Sequence, residues 1–534
     1  MNSAPQRALR ILVCGIVLAV ITVGGALLRV YRLDQPLWTD ELHTAWVASG
    51  PLSEVAWRAE MGNQSPLYYY AEWLVGRVFG VSEVSMRLMS VAAGVALVPM
   101  ACWLVLRWTG RAWAGLLAAA LAAIDVDFLF YAQEARPYAC VQVLAALHVA
   151  VFWRLLNRPT AAWRAAWIVG SALLFYLHYT AALILVAEIV AYGILWRVPR
   201  LSPAYRPLSV AIDGAIALLL MLPALGHLAA IFARRGNWES IVTTQWLMSM
   251  KRMAGIYVLL PSSLVFAAAI GRRLISQPTE RTAEPQVAVH SVALVEPERV
   301  RAWALVACWT IVPVAIAWLT TFSRVAGLFL LRYVIGSAPG AIVMAGICCS
   351  LFRSKAARAA AMLVVLAAAL YANPVARDLF HQQPIRSERD DGWRSAVAHI
   401  NESSDKLPVL IAAGLIEADE LLQTHEEQFR QYCLFPVSSI YLLERDTGDI
   451  APLPLTNPGL LNESQRQLVV DHAGAWVLLR APAKDVDQAK ADLLNSLSAS
   501  GMSAKIAESP RFGNVTVLRV DVSLELLAAD RALQ

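Results

Sequence analysis

Apolar runs long enough to cross a bilayer recur from residue 11 to residue 372, and they set the fold class before any other feature. They lie at 11–30, 86–106, 112–130, 138–156, 163–177, 179–196, 208–226, 254–270, 302–321, 333–352 and 357–372, about eleven in all. A chain of 534 residues with 58% hydrophobic and 16% charged residues, and a mean hydropathy of +0.52, belongs with polytopic membrane proteins. The first run has no small-x-small cleavage site before Arg29, so it reads as an uncleaved anchor. The stretch Pro66–Phe79 is shorter and carries Glu72 and Arg77, which suits an interfacial helix better than a span.

Charge sets the expected orientation. With Arg7 and Arg10 in the cytoplasm, the arginines at 107, 111, 154, 158, 164, 197, 200, 206, 272, 273, 299, 301, 353 and 358 all fall in cytoplasmic connections. The carboxylates Asp34, Asp40, Glu41, Glu54, Glu60, Asp125, Asp127 and Glu134 fall on the opposite face. This predicts a multi-pass plasma (inner) membrane protein with a cytoplasmic N-terminus. The stretch 277–301, with Pro278, Pro285 and Pro297, reads as a flexible cytoplasmic loop. The net charge of +5 is small and its basic residues are scattered, which argues against nucleic acid. Six of the seven cysteines lie in apolar runs and none has metal spacing, so neither a disulfide framework nor a zinc site is expected.

After residue 372 the composition turns mixed and polar. Apolar runs at 408–412, 439–443, 475–479 and 514–520 read as strands, and 393–401, 416–422 and 486–498 as helices. The expected architecture is an all-α polytopic membrane domain (1–372, with outward catalytic loops at 31–85 and 125–137), followed by a soluble extracytoplasmic α/β domain (373–534).

Four constellations carry candidate chemistry, and all lie on the outward face in this topology. Asp40 and Glu41 are adjacent carboxylates beside the bilayer, costly there without a partner or a task. Adjacent residues point in different directions, so the two carboxylates are expected to do different jobs. Asp125 to Tyr138 supplies Glu134, Arg136 and Tyr138, and a guanidinium matches a phosphate with its rigid fork. His178 and Tyr179 occupy a tight turn between spans, and Arg332 and Tyr333 open a later one. Taken singly, each has an ordinary explanation as a solvated acid, a helix cap, an interfacial histidine or a snorkelling arginine. Glu188 lies deep in a span and should have an interior partner.

The order Asp40-Glu41, Ser65-Pro66-Leu67-Tyr68-Tyr69, Arg87-Leu88, Gln133-Glu134-Ala135-Arg136-Pro137-Tyr138, His178-Tyr179 and Arg332-Tyr333 resembles the type C (GT-C) membrane glycosyltransferases over roughly residues 10–340. Within them it is most similar to the protein O-mannosyltransferase (family 39) and lipid A aminoarabinose transferase (family 83) group. The Trp393-Arg394 segment is also similar to bacterial members. Where many members carry His-Pro-Pro this chain has Gln64-Ser65-Pro66, so no histidine role transfers there.

The resemblance implies an inverting transfer of a sugar from a polyprenyl-phosphate donor to an acceptor hydroxyl on a glycan, lipid or protein. Asp40 would be the catalytic base and Glu41 its support. Arg136 and Arg332 would bind the donor phosphate, and Glu134, Tyr138, His178, Tyr179 and Tyr333 would line the cavity. Some members bind a divalent metal, though this chain shows no ligand set for one, and no other cofactor is implied. Two readings from other classes stand beside it: a transporter or flippase of lipid-linked glycans, and a non-catalytic assembly protein. Charges concentrated in outward loops rather than in spans favour surface chemistry over transport.

Overall fold

The structure is a computed structural model that describes residues 4–238, 262–263, 265, 296–352, 354–383, 391–415, 417–499 and 502–523. Eight described helices are long and apolar enough to cross a membrane: Ala8–Val30, Glu83–Thr109, Tyr138–Asn157, Tyr179–Trp196, Pro207–Gly236, Pro297–Phe322, Leu331–Ser350 and Lys355–Ala372. The run expected at 112–130 is broken instead. Ala112–Ile124 and Val126–Ala132 meet at a 58° bend, because Asp125 stops the first helix and caps the second, accepting from the Asp127 and Phe128 amides. The run at 163–177 is the 17-residue helix Ala161–Leu177. The span expected at 254–270 lies largely outside the described residues. So does most of the 277–301 loop, whose end is already helical, since Pro297 occupies the first turn of Pro297–Phe322. The protein is an integral membrane protein.

The chain divides into two compact units. One comprises Met1–Tyr31 with Arg87–Ile385, and the other Arg32–Met86 with Arg386–Gln534.

In the first unit, buried polar groups tie the helices together. Arg29, fully buried near the end of the first helix, donates to the carbonyls of Gly25 (2.9 Å), Ala122 (2.9 Å) and Ala123 (3.3 Å). Those last two are among the carbonyls left open where Ala112–Ile124 ends, so the guanidinium serves as its C-terminal cap. Glu188 finds its interior partners in His148 (2.9 Å) and the Trp167 indole N–H (2.8 Å), and His148 also meets Ser171 (3.0 Å). All four residues of that cluster are buried, and mutual hydrogen bonding is what lets a carboxyl sit there.

The second unit is built on a six-stranded sheet of β1 (Val409–Ala412), β2 (Ile450–Pro452), β3 (Gly474–Arg480), β4 (Ser503–Glu508), β5 (Arg511–Phe512) and β6 (Val515–Ser523). The order is β2-β1-β3-β6-β4, with β5 pairing β6. Strands β2, β1 and β3 are parallel, and β6 runs antiparallel to β3, β4 and β5. Leu410, Val477, Leu479, Leu518 and Val520 cover one face beneath Val469, Val486, Leu493 and Leu497 from the helices Glu463–Asp471 and Ala483–Ser498. The run 439–443 is not a strand. Pro436–Ile440 continues Glu426–Phe435 as a wide helical turn, and a five-residue apolar run has too little periodicity to separate the two outcomes.

The loop 32–86 packs as part of this second unit. Its helices Thr39–Ser49, Val55–Met61 and Pro66–Phe79 bury an aromatic cluster in which Trp46 meets Tyr432 at 4.8 Å and His43 meets Tyr69 at 5.8 Å. Arg58 lies over the Trp46 ring at 4.5 Å, paired with Glu54 at 2.8 Å.

Candidate active site

The site residues fall into two groups, one in each unit.

Asp40 and Glu41 stand in the first turn of Thr39–Ser49, where the helix N-terminus favours negative charge. Both are buried. They do separate things, as their adjacency requires. Glu41 reaches back one turn, and the Trp38 amide donates to its Oε2 at 3.4 Å, the reciprocal half of a capping box. Asp40 carries its carbonyl into a bond from the Thr44 hydroxyl at 3.2 Å.

Glu72, on Pro66–Phe79, is a third carboxyl of this unit that the sequence offered only as one charge on an interfacial helix. It is fully buried. Burial foremost, with a smaller push from Glu41, raises its pKa to about 8 against a partly opposing hydrogen bond from Tyr68. The proton that folded Glu72 keeps at neutral pH is lost in the unfolded chain. The stabilisation is therefore complete below the unfolded value near 4.5 and disappears as pH rises through about 8. Thermal melts of purified Glu72→Gln should show a flatter dependence on pH between these limits than wild type. Parallel pH curves for the two proteins would contradict the protonated state.

In the first unit, the segment from Asp125 to Tyr138 is fixed by its own motif. Gln133 Nε2 donates to the carbonyls of Leu28 (3.1 Å) and Tyr31 (2.8 Å), closing the C-terminal end of the first span. Ser90 donates to the Arg136 carbonyl at 3.0 Å. Glu134 and Arg136 are buried, at 1% and 2% exposure.

Tyr138 lies 5.7 Å from the ring of His178, and His178 lies 6.0 Å from Tyr333. Arg332 sits over Tyr333 at 5.5 Å. These three segments thus converge, and His178, Arg332 and Tyr333 also share a small crevice with Ile184 and Pro313. Tyr179 turns the other way, its hydroxyl 2.6 Å from His227 and its ring 4.9 Å from Phe175.

The charge state of His178 follows from its surroundings. Burial, then the nearby guanidiniums of Arg136 and Arg332, push its pKa down to about 3, so the ring is neutral at physiological pH. The Thr180 hydroxyl donates its one proton to the Tyr333 carbonyl at 2.8 Å, so at its 2.8 Å contact with His178 Nδ1 it must accept. The network assigns the proton to Nδ1 and leaves Nε2 as an acceptor. Thr180 was not singled out in the sequence, where a lone threonine in a turn carries no signal. Among the described residues no group of three or more His, Cys, Asp or Glu side chains stands together as a metal site.

No family model and no curated protein matches the chain at the level of sequence. Among solved structures it is similar to apo ArnT from Cupriavidus metallidurans, with a TM-score of 0.52 and 12% identity, covering 97% of this chain and 98% of that one. The fold is GT-C-like. At 12% identity the likeness speaks for the fold alone. Weaker similarities run to ArnT bound to undecaprenyl phosphate (TM-score 0.49, 13% identity, 97% and 98% covered) and to an Archaeoglobus fulgidus oligosaccharyltransferase with Zn and sulfate (0.49, 12%, 90% and 70%). This is the fold class that the sequence resemblance implies.

Proposed function

We propose that the protein is an inverting glycosyltransferase that moves a sugar from a polyprenyl-phosphate donor to an acceptor hydroxyl on the non-cytoplasmic membrane face. The observation that carries this reading is the arrangement around His178. Two arginines lie near an imidazole that stays uncharged, so the positive charge of this cluster is carried by Arg136 and Arg332 and not by His178. The leaving lipid phosphate needs charge stabilisation rather than a proton, and guanidinium groups supply it. The Nε2 lone pair of His178 suits a sugar hydroxyl.

Asp40 takes the proton from the acceptor hydroxyl, and that oxygen attacks the anomeric carbon from the face opposite the phosphate. The C–O bond to the phosphate breaks as the new glycosidic bond forms, and the configuration inverts. Glu41, engaged with the Trp38 amide, holds the turn that carries Asp40.

Mass spectrometry of envelope glycans, lipids and glycoproteins from cells with and without the gene tests the proposal and identifies the sugar. A modification present only with the gene, and lost in cells carrying an Asp40→Asn allele, supports it. Identical envelopes in all three strains contradict it.

A further inference from the structure

The helix Thr39–Ser49 begins without a side-chain cap of its own. Trp38 occupies the N-cap, and an indole is a donor only, so it cannot accept from the open amides of the first turn. The acceptor comes from some 350 residues further along the chain, within the same compact unit. Asp391 Oδ2 accepts from the Thr39 amide at 3.1 Å and from the Thr39 hydroxyl at 3.2 Å.

Asp391 is itself buried and held. Arg480, the last residue of β3, donates to it at 3.2 Å, and Asn514, just before β6, at 3.1 Å. Its backbone bridges to Gly513. The next residue must be glycine, because a Cβ at Gly392 would stand 2.6 Å from the Phe512 carbonyl oxygen. The end of β3 and the start of β6 therefore set where Asp391 is, and Asp391 sets where the helix starts. Neighbouring ties act in the same sense. The Leu37 amide donates to the Tyr441 hydroxyl at 2.8 Å, and Arg394 bonds the Asp34 carbonyl at 2.8 Å and Glu83 at 2.6 Å.

We propose that Asp391 is a positioning residue for the transfer reaction, the N-cap that the C-terminal domain supplies to the helix bearing Asp40 and Glu41. This rests on the reading of Asp40 as the base. It gives the C-terminal domain a task in catalysis that requires no ligand of its own. An uncapped first turn frays, and a base displaced by about 1 Å can lose on the order of 10²-fold in rate.

The test compares full-length Asp391→Ala, Asp391→Asn and Asp40→Asn with wild type. The donor is undecaprenyl phosphate carrying the sugar identified by the envelope comparison. Asp391→Ala should lower kcat about tenfold or more, with KM for both substrates nearly unchanged. Asp391→Asn keeps an acceptor of good capping geometry and should recover much of that loss. Hydrogen exchange should quicken at residues 37–42 in the Ala variant, with strand β3 still protected. A wild-type kcat, or unchanged exchange at 37–42, overturns the inference. Lost protection throughout β3 also overturns it, because Asp391 would then only hold the domain together. Full activity of Asp40→Asn removes the base assignment itself, and is told apart from failure of the cap by the exchange at 37–42.

Discussion

Asp40→Asn should abolish transfer while the protein stays folded and inserted. Asparagine keeps the volume of the side chain and is well tolerated at the start of a helix, so the first turn of Thr39–Ser49 and its bond to Asp391 should persist. What is lost is the ability to take a proton. A positioned general base contributes typically ~10²–10⁴ in rate. Glu41→Gln should cost less, because an amide oxygen can still accept from the Trp38 amide. Initial rates of purified variants, beside thermal melts, separate the chemical effect from a folding effect. Near-normal turnover of Asp40→Asn would remove the base assignment.

The second large effect is expected at Arg136. Replacing it with Ala should weaken use of the donor far more than use of the acceptor, since the guanidinium is proposed to hold the lipid phosphate. The neutral state of His178 sharpens the expectation, because that ring cannot supply the missing charge and Arg332 is left to act alone. Arg136→Lys should rescue only in part, as an ammonium cannot make the two-pronged contact. Donor and acceptor titrations at saturating co-substrate give the separate KM and kcat values. A donor response identical to wild type in Arg136→Ala would return the residue to a structural role. An equal loss toward both substrates would point to a collapsed segment from Asp125 to Tyr138 instead.

The membrane spans were legible because the bilayer demands long apolar runs, and little else in the sequence competes with that signal. Strands β1, β3 and β6 were legible for a related reason, being short continuous apolar runs in a polar segment. Strand β2 was not, with three residues ending in Pro452, and neither was β4, which is only partly buried along its length. The broken helix at Asp125 could have been read from an aspartate followed by two open amides, but hydropathy carries a span straight through it.

The candidate site was legible where a motif is local, as in the run from Gln133 to Tyr138. It was opaque where the partner is distant. Nothing near Thr39 announces Asp391, and nothing near Glu188 announces His148, forty residues away on another helix. Glu72 stayed hidden for a different reason, since its protonation comes from burial, which the pattern of Pro66–Phe79 does not display. The packing of 32–86 with the C-terminal sheet likewise depends on pairs such as Leu37 with Tyr441 that no spacing rule connects.

The central claim is transfer with inversion from a polyprenyl-phosphate sugar. Its most direct measurement uses purified protein in proteoliposomes, supplied with undecaprenyl phosphate bearing the identified sugar in a defined anomeric form, and with the acceptor. The anomeric configuration of the product is then read by NMR. The account predicts a new glycosidic bond of inverted configuration, release of undecaprenyl phosphate in equal amount, and no product with Asp40→Asn. A product of retained configuration would contradict it, as would movement of the intact lipid-linked sugar across the bilayer with no bond formed.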